Sequence, residues 1–177
     1  MDDIVKQAIK KWPNVPHCYG WMALDARGDW YLRDEPTQAA GPFPAVKGSR
    51  VVHDKLKAFI HRNYECDERG AWFFQNGPQR VYVQLEAAPL VLGLHKQADG
   101  SVRIATQTDW PVAQVRAAYL DELGRLYLDT EHGLGLVRSL DMEAAADALE
   151  SGMWDLQEVS SAALPSQFGF LLKPEAP

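Results

Sequence analysis

Apolar and polar residues alternate with a period of two along much of the chain, the spacing of half-buried strands. The clearest stretch is Val81, Val83 and Leu85 set against Tyr82, Gln84 and Glu86. It follows Trp72-Phe73-Phe74-Gln75 through Asn76-Gly77, so residues 72–86 are expected to form a β-hairpin. Residues 20–25 and 30–33 read as a hairpin turned by Ala26-Arg27-Gly28-Asp29, and residues 64–67 and 71–75 as a second. Residues 90–95 and 102–108 pair across Ala98-Asp99-Gly100. Residues 113–120 and 125–130 pair around Asp121-Glu122-Leu123-Gly124, followed by a short strand over 134–138. Residues 153–159 and 168–172 close the chain as strands, with Pro165 between them.

The spacing turns helical in three places. Residues 3–11 put Val5, Ile9, Ile4 and Ala8 on one face, with Asp2 or Asp3 as cap and Lys10 and Lys11 near the carbonyl end. Residues 50–63 put Val52, Leu56, Phe59 and Ile60 at helical spacing, with Ser49 as the cap. The third helix starts at Asp141, runs through an alanine-rich stretch to Leu149 and stops at Gly152. Residues 35–48, rich in proline and glycine, read as a loop that could serve as a lid or an edge cover.

One motif recurs. Asp25-Ala-Arg-Gly28-Asp-Trp30-Tyr31-Leu32, Asp67-Glu-Arg-Gly70-Ala-Trp72-Phe73-Phe74 and Asp121-Glu-Leu-Gly124-Arg-Leu126-Tyr127-Leu128 share Asp-x-x-Gly-x-(Trp/Leu)-aromatic-apolar. Either an internal duplication or convergent hairpin chemistry produces this pattern. The expected fold class is α+β: a mostly antiparallel sheet of glycine-turn hairpins with two main helices, arranged as an N-terminal subdomain over 1–90 and a C-terminal one over 91–177.

Composition narrows the function classes. With 46% apolar and 24% charged residues the chain matches ordinary globular domains. No apolar run approaches the roughly 20 residues of a membrane span, and the acidic start Met1-Asp2-Asp3 does not resemble a signal peptide. A cytoplasmic location is expected. Residues 1–83 carry 12 Lys/Arg against 10 Asp/Glu, and residues 84–177 carry 6 against 14, giving +2 and −8 within the net −6. A net acidic chain lacks the field that nucleic-acid binding draws on, so no nucleic-acid partner is expected.

Candidate catalytic chemistry is sparse. His17-Cys18 is the one nucleophile and base pair adjacent in sequence, although neighbours in an extended segment point apart. His53 and His61 lie about 12 Å apart by helical rise, too far to share a metal. Gly133-Leu134-Gly135 lacks the third glycine and the following helix of a dinucleotide fingerprint. Neither a cofactor nor a metal is expected. Aromatic and basic residues remain: Trp21, Trp30, Arg50, Trp72, Phe74, Arg80 and Tyr82 are the expected binding residues, with Phe73 and Arg33 nearby in sequence.

The run from Gly20-Trp21 through Asp25-Ala-Arg-Gly28-Asp-Trp30 and Phe59-Ile60-x-Arg62-Asn63-Tyr64 to Gly70-Ala-Trp72-Phe73-Phe74-Gln75-Asn76-Gly77-Pro78-Gln79-Arg80-Val81-Tyr82-Val83 resembles a small proteobacterial family of unknown function. The likeness covers about residues 3–95 and returns at Leu164-Pro165-x-x-Phe168-Gly169-Phe170. More distantly, the order of hairpins and helix is similar to another uncharacterised bacterial family. That resemblance implies an α+β fold of two repeated subdomains and a role in signal transduction, and it carries over no catalytic residue. The expected function is a non-catalytic binding or regulatory module for a protein or small-molecule ligand. The alternative is a hydrolase or thiol enzyme using Cys18 and His17, with residues 35–48 as lid.

Overall fold

The computed structural model describes residues 1–177, which divide into two compact units. The first holds residues 1–25, 29–86 and 170–177; the second holds 26–28 and 87–169.

In the first unit the elements run α1 (Asp3–Lys11), β1 (Cys18–Leu24), β2 (Trp30–Leu32), α2 (Glu35–Ala40), β3 (Ser49–Arg50), α3 (Asp54–Arg62), β4 (Tyr64–Cys66), β5 (Trp72–Asn76) and β6 (Gln79–Leu85). The strands form one sheet in the order β3-β2-β1-β6-β5-β4. All its pairings are antiparallel except the central β1·β6. One face packs under α3: the Phe59 ring meets Phe74 edge-on at 6.4 Å, and Trp30 Nε1 donates to His61 Nε2 at 3.1 Å. Trp30, Tyr64 and Trp72 follow one another beneath it, Trp30 edge-on to Tyr64 at 5.1 Å and Tyr64 tilted against Trp72 at 4.9 Å between centroids.

The second unit contains β7 (Leu90–Lys96), β8 (Val102–Thr106), β9 (Pro111–Val112), β10 (Val115–Leu120), β11 (Leu126–Thr130), β12 (Gly133–Val137), α4 (Met142–Glu150), β13 (Leu156–Glu158) and α5 (Leu164–Phe168). Its sheet order, written from the β9 edge, is β9-β8-β7-β12-β11-β10-β13. Apart from the added β13, this is the order of the first sheet element for element, with the parallel pair again central. The two sheets are therefore alike in topology, within an α+β fold of mixed but mostly antiparallel sheets.

The recurring motif has a chemical basis. In each copy the aspartate N–H donates to the carbonyl four residues on, and its Oδ1 accepts the backbone N–H of that same residue: Asp25 with Asp29, Asp67 with Ala71, Asp121 with Arg125. The glycine between them has φ of +87°, +81° and +74°, which a Cβ would strain. The aromatic six residues after the aspartate closes the motif. Tyr31 hydrogen-bonds Asp25, and the Tyr127 hydroxyl donates to Asp121 Oδ2 at 3.0 Å. In the middle copy that position is Phe73, which has no hydroxyl, and the strand partner opposite it supplies one: Tyr82 donates to Asp67 Oδ2 at 3.0 Å.

Several expected elements differ. Residues 35–48 are not wholly loop: Asp34 accepts from the Thr37 N–H at 3.0 Å and caps α2, and Pro36 sits in its first turn, where its missing N–H costs nothing. The second long helix begins at Asp54 rather than near Ser49, because Ser49 and Arg50 pair with β2 as an edge strand. Neither Asp2 nor Asp141 caps a helix through its side chain. Asp2 instead pairs with Arg62, and Asp141 accepts from the Leu94 N–H and from Arg138. Residues 168–172, expected as a strand, form none: Phe168 ends α5, which has Pro165 in its first turn and the left-handed Gly169 at its end. Only Leu156–Glu158 of residues 153–159 is strand.

Candidate functional site

Strand alternation gives the first sheet a second face, opposite α3. Residues directly across from each other share a face, so the pairs Phe73–Tyr82, Gln75–Arg80, Ala23–Gln84 and Ala23–Tyr31 place all these residues on it. At its β5·β6 end the rings and guanidinium groups form layers. Tyr19 stacks on Tyr82 at 4.6 Å and 6° between planes, and Phe73 tilts against Tyr82 at 5.5 Å. The Arg80 guanidinium lies 4.5 Å over Phe73, and that of Arg69 lies 5.7 Å from the Tyr82 ring.

Two features of this cluster bear on recognition. Arg80 has no carboxylate partner; its guanidinium reaches only the Tyr82 hydroxyl, at 3.5 Å. Asp67 is occupied by the Arg69 and Ala71 N–H groups, the Tyr82 hydroxyl and the Arg69 side chain. Burial alone would raise the Asp67 pKa; the bonds from Ala71, Tyr82 and Arg69 outweigh it and hold the carboxyl below its ordinary value. A depressed carboxyl stabilises the fold above the ordinary carboxylate range, and that contribution is lost as pH falls through its folded pKa. Between about pH 5 and pH 3 the urea midpoint of the wild type should therefore fall more steeply than that of Asp67→Asn. Parallel curves would show that Asp67 contributes nothing to acid sensitivity.

His17 and Cys18 are not hydrogen-bonded to each other. His17 Nδ1 accepts the backbone N–H of Arg80 at 3.3 Å, and burial followed by the nearby Arg80 and Arg69 charges lowers the imidazole pKa. Burial raises the Cys18 thiol, and burial with the Asp67 charge pushes Cys66 up to about 11. Both thiols are free and stay protonated at neutral pH. No group of three or more His, Cys, Asp or Glu is placed to hold a metal ion, and no helix is long and apolar enough to cross a membrane.

Of the residues expected to bind, Arg80 and Tyr82 come together in this cluster, with Arg80 half-buried and the Tyr82 ring, like that of Phe73, buried beneath it. Trp30, Trp72 and Phe74 are buried on the face under α3. Trp21 is 40% exposed, and Arg50 is exposed on the edge strand, where it pairs with Asp29 at 3.0 Å. Sequence reasoning did not include Tyr19 and Arg69. Tyr19 precedes the Gly20 irregularity that breaks simple alternation in β1, and Arg69 sits inside the Asp-x-x-Gly turn.

Fold and surface together define an α+β protein of two like mixed sheets, with an aromatic and guanidinium cluster on one of them. The chain belongs to the family DUF2944, described as "Protein of unknown function (DUF2946)", which it matches over residues 1–175. No curated protein matches it. Two solved structures are similar. One is a DUF1285 family protein from Silicibacter pomeroyi DSS-3, 13% identical, covering 83% of this chain and 84% of that one with a TM-score of 0.51. The other is a DUF1285 family protein from Shewanella baltica OS155, 19% identical, covering 72% and 91% with a TM-score of 0.46. The first likeness extends to the fold alone.

Proposed function

We propose that the chain is a non-catalytic binding or regulatory module of the signalling type, acting in the cytoplasm, whose recognition surface is formed by Tyr19, Arg69 and Arg80, layered on the buried rings of Phe73 and Tyr82. Its occupant is an acidic segment of a partner protein. The observation that carries this reading is the half-buried Arg80 guanidinium, held flat over Phe73 without a carboxylate of its own. A guanidinium pre-positioned on an aromatic face binds a carboxylate with little further ordering, and such residues dominate protein interfaces. The raised thiol pKa of Cys18 and the engagement of His17 with Arg80 weigh against the thiol-enzyme alternative.

The test uses a fluorescent decapeptide rich in Asp and Glu, its Lys-rich counterpart, and fluorescence anisotropy. The acidic peptide should bind with an affinity that weakens as salt rises, and Arg80→Glu should weaken it at least about tenfold with an unchanged circular-dichroism spectrum. Equal binding of both peptides, or no effect of Arg80→Glu, would remove this surface from consideration.

A further inference from the structure

Arg33 follows β2 on the same outer face of the first sheet, and only 3% of it is exposed. Its guanidinium tethers the segment after α2: Nη2 donates to the Gly41 carbonyl at 2.7 Å and the Val46 carbonyl at 3.1 Å, and Nε donates to Val46 at 3.3 Å. Nη1 donates to Gln84 Oε1 at 3.3 Å, and the Phe43 ring lies 5.9 Å away. Every one of these acceptors is neutral. A desolvated cation surrounded by neutral dipoles is held at higher cost than one facing an anion.

The donors are not exhausted. A guanidinium has five N–H groups, and the second hydrogen of Nη1 meets no acceptor. Gln84, 9% exposed, spends Oε1 on Arg33 while its Nε2 donates to nothing in the protein. Two unused donors therefore stand side by side in a cavity of about 510 Å³. That volume lies within the roughly 300–1,000 Å³ of small-molecule sites. Phe43, Pro44 and Leu172 give the cavity an apolar wall, and Glu86 in the same lining disfavours a second negative charge on the occupant.

We infer that this cavity binds a small monocarboxylate with an apolar body, its carboxylate on Arg33 Nη1 and Gln84 Nε2 and its body against Phe43 and Leu172. The site is separate from the peptide surface, shares no residue with it, and stands or falls independently. Guanidinium and amide donors suit the two oxygens of one carboxylate, and Arg33 and Lys173 set against Glu86 leave the lining one net positive charge to match a single negative one.

The experiment titrates the intact protein with benzoate, hexanoate, benzamide, hexanol and inorganic phosphate while following the Arg33 Nε–H and Gln84 side-chain amide signals by nitrogen-edited NMR. The two carboxylates should shift both signals saturably, and the neutral analogues and phosphate should not. Gln84→Glu, which puts a carboxylate where the ligand's would lie, should retain the fold and weaken benzoate binding at least about tenfold. If that variant does not fold, Gln84→Met removes the amide, its Nε2 donor together with the Oε1 that accepts from Arg33, and serves the same comparison. The inference is overturned by absence of a saturable carboxylate response, by an equal response to benzamide or phosphate, or by unchanged benzoate affinity in the folded variant.

Discussion

Trp30→Ala is expected to lower the stability of the protein by about 3–5 kcal/mol, the range for emptying a large aromatic site in a packed core. Trp30 is 1% exposed, its ring meets Tyr64 nearly at right angles at 5.1 Å, and its Nε1 donates to His61. Three losses coincide: apolar burial, an aromatic pair, and the acceptor role of His61 Nε2. Since a domain of this size has a total of about 5–15 kcal/mol, the variant should unfold at much lower denaturant, with little change in slope. Trp30→Phe keeps part of the ring burial and should fall between the two. A midpoint shift equivalent to less than about 1 kcal/mol would mean that Trp30 is not a core residue.

The second large effect is expected at Asp121, 5% exposed in the turn between β10 and β11. Its Oδ1 accepts the Leu123 and Arg125 N–H groups at 2.9 and 2.8 Å, and its Oδ2 accepts the hydroxyl of Tyr127, itself 1% exposed. Asp121→Ala deprives all three donors of their acceptor at once. Each stranded buried donor costs roughly 1–3 kcal/mol, less where water reaches the turn, so a total of about 2–4 kcal/mol is expected. Tyr127→Phe removes one bond and both of its partners' claims on each other, and should cost about 1 kcal/mol. The two changes touch the same bond, so the double variant should fall short of their sum by a measurable coupling energy. Strict additivity in urea denaturation would separate Tyr127 from the turn.

Much of the fold is legible from the turns. The Asp-x-x-Gly pattern identifies the hairpins because the aspartate oxygen and the left-handed glycine do local work that no distant residue can replace. Residues 164–168 were harder: Phe168, Phe170 and Leu172 have strand-like spacing, and only the Pro165 and Gly169 end signals indicate the short helix formed there. The proposed recognition surface is only partly legible. Alternation shows that Trp72 and Phe74 face away from Phe73, but which face lies under α3 depends on where Phe59 and His61 land, a tertiary fact. Arg33 is the extreme case, since arginine is seldom so buried and nothing in its local sequence announces the carbonyls of Gly41 and Val46.

The final stretch of chain carries a consequence for biosynthesis. Leu171 N–H donates to Gly70 O, and Leu85 N–H donates to Leu172 O, so the first unit receives these bonds from residues translated after the whole second unit. Emergence order and completion order are thus reversed: the half that leaves the ribosome first waits longest for its last backbone partners. A nascent chain stalled before Phe170 would hold the second unit's residues entire and the first one short of those links.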